Sequence, residues 1–182
     1  MKKIVTLFLI YFLAYEIKGD EMFYYSNNTF AKIPVFFAGP EKVDKNTRLV
    51  VVMHGRKRNA EEYRNQWKEA AQDLNLLVIV PEFSEKNFPQ VWGFNYGNIK
   101  TEDLVPIPER LQAFSVIEPM AEEAIKKFKL ASTNWGIYGH GAGAHFVHRY
   151  ALYRPDASYT LAIAANLGWY LSMTDQAWPF GL

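Results

Sequence analysis

A run of five residues has the types and spacing of a catalytic turn: Gly139, His140, Gly141, Ala142 and Gly143. A short apolar run precedes them, and a helix-like stretch follows at residues 144–153. This is the strand–turn–helix setting of the nucleophile elbow G-x-S-x-G, in which a serine hydroxyl attacks an acyl group. The strained turn leaves no room for side chains near its centre, so it needs the outer glycines. Gly141 stands where the serine should be, so the pattern predicts an elbow without its nucleophile.

Backbone N–H groups that would serve the same chemistry lie in the loop after the apolar run at residues 49–53. His54 and Gly55 stand at the end of that run. In an elbow-type hydrolase, the loop after this strand lends one backbone N–H to the oxyanion hole, and the residue after the nucleophile lends the other. We expect those donors to be Arg56 or Lys57, together with Ala142. Taken alone, His54 and Gly55 indicate a turn that ends a strand, and the elbow downstream favours the oxyanion interpretation.

Histidines offer a second kind of chemistry. His145 and His148 are spaced i, i+3, so they approach one face of a helix. A zinc site would need a third ligand, which His54 or His140 would have to supply. The commoner situation is a packed helix whose histidines form hydrogen bonds in the core. We therefore predict no metal and no cofactor, and we interpret His140 as the variable residue of the elbow.

The elements that must position these groups are short apolar runs at residues 49–53, 76–80, 134–138 and 161–164. Continuous runs rich in β-branched residues are typical of strands buried on both faces of a parallel sheet. Residues 33–37 predict an antiparallel strand ahead of them.

Helical patterns alternate with the strands. Asn59 and Glu62 form a capping-box pattern at the start of one helix. A second apolar face with helical spacing runs from Pro108 to Phe128, and Pro119 predicts a kink within it. The alternation of strands and helices predicts a doubly wound α/β layer.

Taken together, these patterns resemble secreted α/β-hydrolases related to poly(3-hydroxybutyrate) depolymerases and feruloyl-esterase-like enzymes. The matching positions are residues 51–55, 59–60, 63–64, 96–98, 138–144, 146–150, 165–166, 168–170 and 179–182. The resemblance implies the α/β-hydrolase fold, of which this chain would form only the N-terminal part. It also implies a Ser–acid–His triad whose serine falls at Gly141.

The rest of that triad is incomplete in the sequence. Beyond the strand at residues 161–164 the one carboxylate is Asp175, and no histidine follows His148. The expected function is therefore an inactive, truncated derivative of an exported serine hydrolase acting on carboxylic esters. The alternative is a non-catalytic binding module that uses the vacant elbow and the oxyanion-hole N–H groups for a small anionic or ester ligand.

Composition and the N-terminus constrain partners and location. A net charge of +1 with scattered basic residues predicts no binding of nucleic acid. Residues 1–19 combine a basic start with an apolar run, as in a secretory signal, and leave a partial hydrolase domain at residues 20–182. We expect export from a bacterium, with membrane tethering if the signal stays uncleaved and no stable span elsewhere. The uncharged strand at residues 161–164 would form an exposed sheet edge, which predicts self-association.

Overall fold

A six-stranded mixed sheet runs through the centre of the molecule in the order β2-β3-β6-β5-β7-β8. The structure, a computed structural model, describes residues 15–16 by their backbone and residues 21–181 in full. The predicted signal segment lies outside the described residues except for positions 15–16. The strands are β1 (Tyr15–Glu16), β2 (Met22–Tyr25), β3 (Ile33–Ala38), β4 (Lys42–Val43), β5 (Arg48–Met53), β6 (Leu76–Pro81), β7 (Trp135–His140) and β8 (Leu161–Ala165).

The strands β6, β5, β7 and β8 are parallel, as their continuous apolar runs predicted. In register, Val50 of β5 lies beside Val78 of β6 and Gly136 of β7, and β8 adds to β7 in the same direction. The predicted leading strand is confirmed as β3, which is antiparallel to both β2 and β6. The short strands β1 and β4 pair separately from the main sheet.

Helices cover both faces of the sheet, as a doubly wound layer requires. They are α1 (Ala60–Asp73), α2 (Gln90–Gly93), α3 (Ile117–Lys127) and α4 (Ala142–Tyr153). On one face α1 packs with Val52, Val78 and Val80. On the other face α3 and α4 pack in the larger cluster around β5, β6 and β7. No helix in the described part of the chain is long and apolar enough to cross a membrane.

Two details of the predicted helices are wrong. Asn59 is the N-cap of α1, but its side chain donates to the Glu62 carboxylate and makes no capping bond to the backbone. The continuous helix expected from Pro108 is instead two 3₁₀ turns followed by α3, because Gln112 between the turns is extended. Pro119 is the third residue of α3, where its missing N–H costs no helical bond, so no kink is needed.

Candidate elbow site

The predicted elbow is present, and Gly141 is its central residue. Gly141 joins β7 to α4 with φ +59° and ψ −114°, a backbone conformation that side-chain-bearing residues adopt only under strain. Its N–H donates to the Ala165 carbonyl at 3.1 Å, and its carbonyl accepts the His145 N–H at 3.2 Å. These bonds tie the turn to the end of β8 and to the first turn of α4.

The glycines Gly139, Gly141 and Gly143 of the elbow differ in the space that each leaves for a side chain. A Cβ at Gly139 would lie 2.2 Å from the Gly143 carbonyl oxygen, and one at Gly143 would lie 2.2 Å from the Met53 carbonyl oxygen. Both glycines therefore allow β7, α4 and β5 to approach closely. A Cβ at Gly141 would meet nothing within 4 Å. The nucleophile position has open space for a side chain but carries none.

A cleft of about 780 Å³ opens over Gly141. Its lining residues are Arg56, Arg58, Glu85, Gln90, Val91, Asn95, Gly141, Ala142, His145, Gly168 and Trp169. Of the residues predicted from the sequence, the cleft therefore unites Arg56, Gly141 and Ala142. The exposed Lys57 and His140 are not among its lining residues. Ala142 is the first residue of α4, so its N–H has no acceptor within the helix.

His54 is a buried residue that shapes the loop beside the cleft. Its Nε2 accepts the Phe83 N–H at 2.9 Å, so Nδ1 carries the proton and donates to the Gly55 carbonyl at 3.0 Å. Burial in an apolar setting, with a smaller contribution from the charge of Arg58, lowers the pKa of His54 to about 4. The neutral ring thus joins the end of β5 to Phe83, just after β6, through hydrogen bonds.

Arg58 was not predicted from the sequence, and it fixes the segment at residues 83–90, which lines part of the cleft. Its guanidinium donates to the backbone carbonyls of Phe83, Phe88 and Gln90, each at 2.9 Å. It also pairs with Glu85 at 3.0 Å and lies 4.3 Å from the centre of the Phe94 ring. The sequence offered little indication of this role, because the partners of Arg58 lie 25 or more residues away from it.

The two helical histidines hold the segment at residues 166–181, here named the strap. His145 Nε2 accepts the Gly168 N–H at 3.3 Å, and His148 Nε2 accepts the Leu171 N–H at 3.0 Å. Desolvation by burial lowers the pKa of both rings, that of His145 to about 4. The i, i+3 spacing therefore does place both rings on one face, where each Nε2 accepts a backbone N–H of the strap. No group of three or more ligating side chains in the described part of the chain is arranged to hold a metal ion.

Arg149 fixes the far end of the strap from a fully buried position. It donates to the Pro179 carbonyl at 3.0 Å and lies 4.4 Å from the centre of the Tyr96 ring. Its Nη1 lies 3.4 Å from His145 Nδ1. Burial lowers the pKa of Arg149 to about 10. Within the described residues, its Nε and the Trp178 Nε1 are buried without a hydrogen-bond partner.

Solved structures of known hydrolases share the fold of this chain. A poly(aspartic acid) hydrolase-1 from Sphingomonas sp. KT-1 is 35% identical, with a TM-score of 0.84 over 90% of this chain and 62% of that one. A poly(3-hydroxybutyrate) depolymerase from Bordetella parapertussis is 28% identical, with a TM-score of 0.81 over 90% of this chain and 57% of that one. The chain thus spans less than two thirds of either structure. A Staphylococcus aureus serine hydrolase at 16% identity and TM-score 0.61 shares the fold. No protein-family model and no curated protein sequence matches the chain.

Proposed function

We propose that this chain, which belongs to the α/β-hydrolase superfamily, uses its elbow cleft to bind a ligand that it does not hydrolyse. The observation that carries this proposal is Gly141. The backbone of the elbow and the space for a side chain are both present, but the attacking hydroxyl is not. Without that hydroxyl, elbow chemistry retains at most what positioning and oxyanion stabilisation supply in an otherwise intact site, an upper limit of roughly 10³–10⁴ over the reaction in water.

The groups around Gly141 also make a poor general base. His145 is the histidine that lines the cleft within the described residues. Its Nε2 already accepts the Gly168 N–H, and burial keeps its pKa at about 4. A base whose pKa lies so far below neutral pH has little driving force to take a proton from serine or water. Restoring the hydroxyl alone would therefore not restore a triad.

The same cleft suits an anionic ligand. The N-terminus of α4 begins at the floor of the cleft, where N–H groups without helical acceptors favour negative charge. Arg56 and Arg58 contribute two positive charges, and Glu85, which pairs with Arg58, contributes one negative charge. We infer that the ligand carries carboxylates. Poly(aspartic acid), named for the 35% identical relative, is a suitable probe.

The absence of hydrolysis is tested with p-nitrophenyl acetate and butyrate. We expect the purified protein to release nitrophenol no faster than a buffer control, and Gly141→Ser to behave in the same way. Sustained turnover by either protein would overturn the proposal, since it would require a base that the cleft residues described above do not supply.

Ligand binding is tested separately by calorimetric titration with poly(aspartic acid). Arg56 lines the cleft, whereas its exposed neighbour Lys57 does not, so Arg56→Glu and Lys57→Glu change the net charge equally at adjacent positions. We expect Arg56→Glu to weaken binding about tenfold or more and Lys57→Glu to weaken it only about two- or threefold. Equal losses would indicate non-specific charge attraction, and no binding by the wild type would refute the ligand class.

We further propose that the protein is exported. The support is the basic and apolar pattern of residues 1–19. Cell fractionation with an antibody against the folded domain tests this proposal, and a purely cytoplasmic pool would contradict it.

A further inference from the structure

His145, which lines the elbow cleft, has a hydrogen-bond donor on each side of its ring. The Gly168 N–H lies 3.3 Å from Nε2, and Arg149 Nη1 lies 3.4 Å from Nδ1. Arginine has no acceptor atom, and a neutral imidazole has only one nitrogen that can accept. The ring is neutral at pH 7, because burial lowers its pKa to about 4. His145 can therefore accept from only one of its two neighbours.

Either choice leaves donors without an acceptor. When Nε2 accepts the Gly168 N–H, the ring proton is on Nδ1 and faces Arg149 Nη1, which is itself a donor. Donors that face each other at a buried position are costly, and His145 is 5% exposed while Arg149 is fully buried. If the ring proton is on Nε2 instead, Nδ1 accepts from Arg149. The Nε2–H and the Gly168 N–H then both need an acceptor from outside the ring.

The surroundings of Arg149 also contain more donors than acceptors. Its Nε and the Trp178 Nε1 are buried without a hydrogen-bond partner among the described residues. No carboxylate in the described part of the chain pairs with Arg149. Its pKa of about 10 keeps the guanidinium charged at neutral pH. An excess of donors beside an unneutralised positive charge favours an acceptor that is negatively charged.

The space beside His145 Nε2 is open to such an acceptor. Gly168 lines the cleft, and a Cβ built on it would meet, apart from its chain neighbours, only His145 Nε2 among the described residues, at 3.6 Å. Trp169 lines the cleft next to it, with its ring centre 4.4 Å from that of His145. An oxygen atom in this space can approach Nε2 and the Gly168 N–H together.

We propose that His145 and the Gly168 N–H form a subsite of the elbow cleft that binds a carboxylate of the ligand. This inference rests on the proposed ligand-binding function and names two groups that hold the ligand. On binding, the ring proton leaves Nδ1 to water and a proton from water is taken up at Nε2, so the charge of the ring does not change. Nδ1 then accepts from Arg149, while Nε2–H and the Gly168 N–H donate to the carboxylate.

The direct test is the tautomer of His145, measured by long-range ¹H–¹⁵N correlation on protein labelled with ¹⁵N-histidine. The spectrum distinguishes a protonated from an unprotonated ring nitrogen, and His145→Gln identifies the signals of His145. At pH 7.5 we expect Nδ1–H without ligand and Nε2–H with saturating poly(aspartic acid). His148 is the internal control, because its Nε2 accepts the Leu171 N–H of the same strap outside the cleft, and its tautomer should not change.

A second measurement fills the subsite and leaves His145 in place. Gly168→Ala puts a methyl group at ordinary contact distance from Nε2, at a backbone φ that alanine tolerates, so the melting temperature should not fall. Binding of poly(aspartic acid) should weaken roughly tenfold or more, as expected for loss of a hydrogen bond to a charged group. Gly136→Ala is the matched control. It lies in β7 outside the cleft with room for a methyl group, and it should change binding by less than about twofold.

A neutral polymer tests the charge of the acceptor. Poly(hydroxyethyl aspartamide) keeps the backbone carbonyls of poly(aspartic acid) but has no carboxylate, so it should not change the His145 tautomer. A change with this polymer, a ring already protonated at Nε2 in the free protein, no change in a saturated complex, or full binding by Gly168→Ala would each overturn the subsite. The ligand-binding function would survive those results, whereas a wild type that does not bind poly(aspartic acid) would overturn both.

Discussion

Acid should weaken the fold chiefly through buried histidine, and His54 gives the clearest case. In the folded protein His54 is neutral, with a pKa of about 4 against a usual value of 6.5. The unfolded chain binds a proton on this ring as the pH falls through 6.5, whereas the native ring does not. The free energy of unfolding therefore decreases as the pH falls below 6.5. The contribution of His54 to this decrease ends below about pH 4, where the native ring is also protonated.

The size of the effect follows from the two pKa values. Between pH 7.5 and 5.0, linkage predicts a loss of about 2 kcal/mol from His54. His145, whose pKa is also lowered to about 4, should add a loss of similar size. A combined loss of about 4 kcal/mol is a large part of the 5–15 kcal/mol that stabilises a typical domain.

The assay is urea denaturation at both pH values and at one protein concentration. His54→Gln keeps an acceptor near the Phe83 N–H but does not titrate, so its loss on acidification should be smaller than the wild-type loss by about 2 kcal/mol. Met53→Leu, at the adjacent buried position, should lower stability at both pH values and leave the pH dependence unchanged. If His54→Gln retains the full wild-type pH dependence, the neutral hydrogen-bonded state assigned to His54 is wrong.

Two further predictions concern the elbow and the strap. Gly139→Ala should cost more than about 3 kcal/mol or prevent folding, because its Cβ would lie 2.2 Å from the Gly143 carbonyl oxygen. Gly141→Ala should cost only about 1–3 kcal/mol of backbone strain, and equal melting temperatures would contradict this ranking. Acidification that protonates His148 should speed amide exchange at Leu171 beyond the intrinsic pH effect, because His148 Nε2 then no longer accepts the Leu171 N–H and can donate only to the Leu171 carbonyl. Exchange measured by mass spectrometry checks this, and a His148→Gln variant should lack the pH response.

The strands and the elbow could be predicted from the sequence because their determinants are local. A continuous β-branched run such as residues 49–53 is stable only when both of its faces are buried, which leaves few positions in an α/β sheet. The elbow was local in part: Gly139 is required by its contact with Gly143 within the turn, whereas Gly143 is required by the approach of the distant Met53 carbonyl on β5.

The roles of the polar side chains could not be predicted, because their partners are distant in sequence. His54 bonds to Phe83, Arg58 to Phe88, and Arg149 to Pro179, each across 29 or more residues. Helical spacing showed that His145 and His148 share a face, but not that backbone N–H groups of the strap would meet them. The error between Pro108 and Ile117 has a similar origin. An apolar pattern with helical spacing does not show that Gln112 is extended.

The conformation of Gly141 also bears on how the sequence can change. A serine at φ +59° stores strain that a working enzyme maintains for the sake of its nucleophile, and glycine releases that strain. Exchange of serine for glycine at this position thus abolishes the attacking group and stabilises the fold in one step. The reverse exchange must be offset by a reserve of stability elsewhere in the chain. Loss of the nucleophile is therefore easy for this scaffold, and its recovery is opposed by the folding threshold.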